Sequence, residues 1–191
     1  MVDILGWFWT SAIFVIVFGS LFAVVAIYNT LVRLRQNVNQ GRADIDAQLR
    51  QRHDLIPNLV EAVKGYAGHE KSTLEEVIKA RAVAAKGAPD SGSEQGLKVA
   101  LDNLLALGED YPDLRASENF QELQAELSDI EDKLAAARRA LNAAAAQFNS
   151  AREAFPAVLF ASMLGFKEAD FNTLDHSERG TVDQAPKVAF S

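Results

Sequence analysis

Cysteine is absent from this 191-residue chain, which removes disulfide bridges, thiolate nucleophiles and thiolate metal sites together. The absence fits a domain on the reducing side of a membrane. Histidine is scarce: His53, His69 and His176 are the three, far apart and without the paired spacing of a metal-binding helix. His69-Glu70 is a lone pair beside a glycine and reads as exposed helix surface rather than as a metal ligand. Glycine-rich phosphate loops and dinucleotide fingerprints are missing too, and no serine has the surroundings of a nucleophile elbow. Basic residues are outnumbered, 19 Lys and Arg against 26 Asp and Glu for a net charge of −7. A chain of that balance lacks the clustered basic face that nucleic acid requires. Strand-like alternation of useful length is also missing, so the expected class is all-α. No catalytic, cofactor-binding or metal-binding residue is assigned.

One further absence is local and decisive. From Ile4 to Val32 there is no Asp, Glu, Lys, Arg or His. As a helix, Trp7 to Tyr28 would span roughly 33 Å, close to the hydrocarbon thickness of a bilayer. Trp7 and Trp9 at one end and Tyr28 at the other have the placement of membrane-interface anchors. A cleaved secretory signal fits poorly, because Asp3 stands where a basic start belongs, the apolar run is long, and Ala23 to Ala26 makes a weak cleavage site. Arg33, Arg35 and Arg42 follow the exit while Lys and Arg are absent from the other flank. The positive-inside bias then puts the C-terminal domain in the cytoplasm. The expected layout is a short extracytoplasmic N-terminus (1–6), a transmembrane helix (7–29), a cytoplasmic helical bundle (30–166) and a mobile C-terminal tail (167–191).

Beyond the membrane the apolar positions Leu31, Leu34, Val38, Ile45, Leu49 and Ile56 alternate spacings of 3 and 4, with Gly41 and Arg52 on the skipped positions. The membrane helix is expected to run on to about Arg52 and to turn or kink at Pro57, which lacks the N–H of a helical bond. Asn58 to Lys86 reads as one helix with a weak middle at Gly65 and Gly68, or as two, with a capping-box spacing at Ser72 and Glu75. Gly87 to Ser93 has loop composition. A shorter helix carries Leu97, Leu101, Leu104 and Leu105 to about Gly108, and Tyr111-Pro112-Asp113 is a turn. The last helix holds a seam without a slip from Phe120 through Leu123, Leu127, Ile130, Leu134, Ala137, Leu141, Ala144, Phe148 and Ala151 to Phe155, closed by Pro156.

Alternating directions in an up-and-down bundle would return the end of that last helix to the bilayer surface. There the sequence turns apolar, and Phe155, Leu159, Phe160, Met163 and Leu164, with Val158 and Phe166, either contact lipid or a neighbouring subunit or close the bundle core. Pro186 to Ser191 could add as a strand to a partner sheet, against the plainer reading of a frayed tail. Two polar clusters stand out: Asp44, Asp46, Arg50, Arg52, His53 and Asp54 beside Pro57, and the pair Arg138-Arg139. Both read as interhelical ion pairs that fix register. Glu126, Asp129, Glu131 and Asp132 lie off the seam and read as a solvated face rather than a catalytic carboxylate pair.

The blocks YNTLVRLRQNV (Tyr28 to Val38), IDAQLRQRHDLIPNLVEAVKGYAGHE (Ile45 to Glu70) and YPDLRASENFQELQAEL (Tyr111 to Leu127), with Arg138-Arg139, Asn142 and Phe148-Asn149, resemble the LemA family of bacterial membrane proteins. The resemblance covers nearly the whole chain in consistent order. It implies an N-terminal membrane helix with an antiparallel helical bundle, placed at the bacterial inner membrane. It implies no catalytic residues, and it links the chain to membrane-organising roles, including magnetosome membranes in one branch. Leu141 and Phe148 stand where relatives often carry a Tyr before the Asn, so any role of those phenol hydroxyls does not transfer. The expected function is a non-enzymatic scaffold or adaptor acting through helix–helix contacts, with an oligomeric membrane-remodelling protein as the alternative. Expected partners are the lipid bilayer, further copies of the chain or another membrane protein, and no nucleic acid.

Overall fold

In the computed structural model, which describes residues 2–87 and 92–171, the chain forms α1 (Val2–Ala67), α2 (Lys71–Ala84), α3 (Gly92–Asp110), α4 (Pro112–Arg115) and α5 (Glu118–Glu153), followed by a 3-10 turn at Ala157–Leu159. No strand occurs among the described residues. The architecture is an antiparallel helical bundle entered by the apolar helix. Parts of the loop expected at Gly87 to Ser93, and the tail beyond Phe171 with His176 and the Pro186 to Ser191 segment, lie outside the described residues.

Helix α1 spans 66 residues, roughly 100 Å at the usual helical rise. Its first part is long and apolar enough to cross a membrane, and no part of that stretch is buried. Core burial begins at Leu31 and continues at Val38, Gly41, Ile45 and Leu49. That is a narrow seam of the kind two helices share. From Leu55 the buried stripe widens to adjacent pairs, Leu55 with Ile56 and Leu59 with Val60, then Val63 and Ala67. Neighbouring buried positions need neighbours on two sides, and the distal part of α1 has them.

The partner throughout is α5, which runs antiparallel and spans 36 residues. Gly41 faces Leu141 so closely that a Cβ on residue 41 would lie 3.0 Å from the Leu141 Cα. The skipped heptad position is thus a point of close approach between the two backbones. Helices α2 and α3 pack against each other and flank only the distal half of α1. Arg81 near the end of α2 reaches His53, Glu94 at the start of α3 reaches Arg52, and the Tyr111 hydroxyl just past α3 donates to Glu70 at 3.0 Å. The bundle therefore has two storeys: a two-helix stalk next to the apolar stretch and a four-helix head beyond Arg52.

Three local expectations are corrected. The helix does not stop or break at Pro57; it passes through to Ala67. Proline cannot donate to the carbonyl four residues back, here that of His53. The Arg81 guanidinium donates to that carbonyl instead, Nε to O at 2.7 Å, which fills the missing bond and docks α2 onto α1. Of the two readings of Asn58 to Lys86 the structure takes the second: the helices part at Gly68 to Glu70, the first being the end of α1 and the second α2 from Lys71. Ser72 caps nothing, since the residue before α2 is Glu70 and makes no side-chain cap. On α5 the buried seam drifts after Leu141 to Ala145, Phe148 and Asn149, leaving Ala144 and Ala151 half-buried and Phe155 exposed.

Candidate functional site

Two constellations combine polarity or exposure with fixed geometry. The first lies at the floor of the head. Arg52, on the apolar seam of α1, is 2 % exposed and Glu94 is 6 % exposed. The Arg52 guanidinium donates through Nη2 to the Glu94 carboxylate and through Nη1 to Glu131 Oε1, the latter at 2.7 Å. His53 Nε2 stands 3.2 Å from Glu94 Oε1, near enough for an ion pair when protonated but off the line of a hydrogen bond. One cation from α1 thus bridges acids from α3 and α5. The interhelical ion pair expected of Arg52 is present, whereas Arg138 and Arg139 form no ion pair with described residues. Glu131 is a further correction, because it leaves the solvated face to meet Arg52 while Glu126, Asp129 and Asp132 remain exposed.

Sequence reasoning missed Glu94. The signal was present: Glu94, Leu97, Leu101 and Leu104 repeat the 3, 4, 3 spacing of a core seam, so an acid stands where a leucine belongs. A charged residue on an apolar seam needs an opposite charge on a facing seam, and Arg52 on α1 has the same property. Beside this cluster a groove of about 460 Å³ is lined by Asp46, Arg50, His53, Asp54, Arg81 and Glu94, among others. Acids and bases alternate along its wall, which favours no single ligand charge. No nucleophile and base meet there, and among the described residues no cluster of His, Cys, Asp and Glu could hold a metal ion. Tyr111 titrates above its ordinary range, because its hydroxyl is hydrogen-bonded to the Glu70 carboxylate and partly withdrawn from solvent.

The second constellation is at the opposite end. Twelve residues beyond Leu141 on α5 is Glu153, and twelve before Gly41 on α1 is Asn29, so the antiparallel pairing sets the end of α5 level with Tyr28. The chain then folds back on itself. Phe166 N donates to the Ala161 carbonyl at 2.9 Å, and Gly165, with φ of 78°, supplies the left-handed turn that reverses direction. Phe166 is buried and meets Tyr28 edge-on with ring centroids 5.5 Å apart, lies 6.3 Å from Phe148, and carries the Arg35 guanidinium 5.1 Å from its ring centre. Asn149 clamps the return strand of chain from below: its amide donates to the Ala169 carbonyl, and its oxygen accepts from the Ala169 N–H, both at 2.9 Å. Of the apolar residues singled out here, Phe155, Leu159, Met163 and Leu164 are exposed, Phe160 is half-buried and Phe166 is core. Trp7, Trp9 and Tyr28 are exposed along α1.

Comparison with known proteins follows the same outline. A profile of the LemA family matches residues 41–190. The chain belongs to the LemA family. Among the relatives it resembles, the magnetosome protein MamQ of Magnetospirillum gryphiswaldense is 25% identical over 173 residues, covering 75% of this chain and 64% of MamQ. A MamQ of Paramagnetospirillum magneticum aligns with the same identity and coverage. Protein LemA of Metamycoplasma hominis is 29% identical over 133 residues, covering 68% of this chain and 61% of that protein. This LemA-family chain therefore spans somewhat under two thirds of the length of the curated relatives it matches. Family membership and the uncovered apolar helix fit a membrane-associated protein, and the names of these relatives denote no enzyme.

Proposed function

We propose that this LemA-family chain is a non-enzymatic, membrane-anchored scaffold or adaptor that works through helix–helix contacts of its head, with the head in the cytoplasm at the bacterial inner membrane. The observation that carries the reading is the continuity of α1, one helix from the apolar stretch to the far end of the head. A flexible tether would only concentrate the head near the bilayer. A continuous helix also sets its height: Arg52 stands roughly 36 Å beyond Tyr28 and Ala67 roughly 58 Å beyond it. A surface held in one pose loses less freedom on meeting a partner, which is what an adaptor gains from stiffness. Arg33, Arg35 and Arg42 beyond the apolar stretch support the cytoplasmic placement.

A short Gly-Ser insert between Arg35 and Gln36 tests this reading. Photo-crosslinkers placed on the head at Ile78 and Val99, both exposed, are expected to yield a discrete adduct with a second membrane protein in intact cells. The insert is expected to abolish that adduct while the chain still reaches the membrane. Adducts that survive the insert unchanged would count against a posed scaffold.

A second reading, an oligomer that organises or remodels membrane, draws support from the likeness to proteins named for the magnetosome. Size measurement in detergent with electron microscopy of protein-loaded vesicles separates the two. A small discrete species that leaves vesicle shape unchanged argues for the scaffold.

A further inference from the structure

The segment after α5 is built the wrong way round for water. Its small residues face in: Ala157 is 5 % exposed, Ala161 1 % and Ala169 9 %. Apart from Phe166 and the half-buried Phe160, its large apolar residues face out, with Phe155 81 % exposed, Leu159 59 % and Met163 86 %. A segment folded against water alone would place these residues the other way, because each large side chain left outside forgoes burial that a methyl group cannot match. Scattered exposed leucines need no explanation, but five exposed apolar side chains within ten residues, Phe155, Val158, Leu159, Met163 and Leu164, are a concentration that does.

Looseness does not account for it. The inner face is tied down by the paired Asn149–Ala169 hydrogen bonds, by Arg152 Nε donating to the Phe166 carbonyl at 3.1 Å, and by Phe166 wedged among Tyr28, Phe148 and Arg35. The patch is therefore presented by a fixed support. Its position identifies the occupant. The end of α5 is level with Asn29, where α1 leaves its apolar stretch, and Phe166 ties the segment that carries the patch to Tyr28 at that level. Cationic side chains suited to lipid phosphates, Arg33, Arg35 and Lys167, are exposed close by in the sequence of the same elements.

We infer that residues 155–164 form an interfacial foot that inserts Phe155, Leu159 and Met163 into the headgroup–acyl boundary of the leaflet on the head's side, giving α1 a second point of membrane contact. The inference rests on α1 crossing the bilayer, and it adds what a single spanning helix lacks: resistance to tilting and to rotation about its own axis. The foot thereby fixes the azimuth of the head as α1 fixes its height.

Flotation is no test, since α1 alone holds the chain in the membrane. The test uses the full-length chain in nanodiscs, mostly one chain per disc. Because there is no native cysteine, Leu159→Cys, Met163→Cys and, on the exposed face of the head, Glu122→Cys each carry one environment-sensitive fluorophore. At positions 159 and 163, lipids brominated high on the acyl chain are expected to quench severalfold more than at 122, and aqueous iodide severalfold less. Equal iodide quenching at all three positions overturns the foot. Shielding from both quenchers in single-chain discs overturns it as well, because the chain itself then covers the patch. Shielding that appears only in discs holding two chains assigns the patch to a second copy and likewise overturns it. As a further reading, Phe155→Glu combined with Leu159→Glu, both at exposed positions, is expected to preserve helicity while moving a label at Met163→Cys into water. Failure here leaves the scaffold proposal standing, because that reading is judged on adducts from the head.

Discussion

In the head, four helices surround Leu59, Val63, Val77, Leu97 and Leu104, all essentially inaccessible to water, whereas between Leu31 and Ile45 the main neighbour of α1 is α5, with Phe166 against Arg35. The two storeys solve burial differently. The head encloses enough volume to bury an Arg52–Glu94 ion pair, which joins α1 to α3. The stalk has one seam to bury, so closeness does the work: Gly41 against Leu141, then Ala145 and Phe148, with Phe166 plugging the open end. Two helices cannot cover a third side. Where the stalk meets the apolar stretch of α1, that side is occupied by a segment that leaves Phe155, Leu159 and Met163 exposed.

Breaking the head at its charge cluster is expected to have the largest effect. Glu94→Ala leaves Arg52 buried with only the half-exposed Glu131 for company, and removing one partner of a buried pair costs roughly 3–5 kcal/mol. Denaturant melting of the detergent-solubilised chain should show the loss, and hydrogen exchange should place it in α2 and α3. Replacing both partners, Arg52→Met with Glu94→Leu, is expected to recover most of the stability. Failure to recover would mean that the cluster does more than set register.

The stalk should yield next. Gly41→Leu forces α1 and α5 apart, and overpacking of this kind costs about 1–3 kcal/mol. Distances between spin labels on Asn37 and Gln147 should lengthen while those across the head stay unchanged, which would show the two storeys to be separable. Coupled disruption of the head would merge them.

Arg81→Ala removes the donor that serves the His53 carbonyl, and an orphaned, partly buried acceptor costs roughly 1–3 kcal/mol. In a Pro57→Ala background residue 57 regains its N–H and can take over that bond, so Arg81→Ala should then cost less than half as much. A double-mutant cycle showing plain additivity would refute the link between Pro57 and Arg81.

The smallest effect belongs to Tyr111. Its titration is raised above 10.0 by the hydrogen bond to Glu70, so the folded state favours the protonated phenol. That contribution is complete below the unfolded value and disappears as pH rises through the folded one. Amide exchange at the α1–α2 junction should therefore quicken above about pH 10 in the native chain, and Tyr111→Phe should remove that pH dependence.

How much of this was readable in advance depended on the range of the interaction. The all-α class, the charge-free apolar helix and the seam from Phe120 to Leu134 follow from periodicity along one segment, and the family blocks pointed to the LemA family directly. The passage through Pro57 was unreadable, because the group that satisfies the His53 carbonyl stands on α2, behind a change of direction at Gly68 to Glu70. Glu131 looked solvated for the same reason: its heptad position is off the seam, and only the approach of Arg52 from α1 brings it inward. Glu94 was the legible exception that went unread, an acid in step with Leu97, Leu101 and Leu104.

By itself the sequence determined that an apolar helix of bilayer length leads into amphipathic helices, since apolarity and its period depend on side-chain chemistry and local spacing. Only tertiary structure decided that α2 and α3 flank just the distal half of α1, that Arg52 takes its acids from two other helices, and that Phe166 turns inward while Phe155, Leu159 and Met163 turn out. Those outcomes depend on which surfaces meet, and a one-dimensional pattern records that a residue is apolar without recording what covers it.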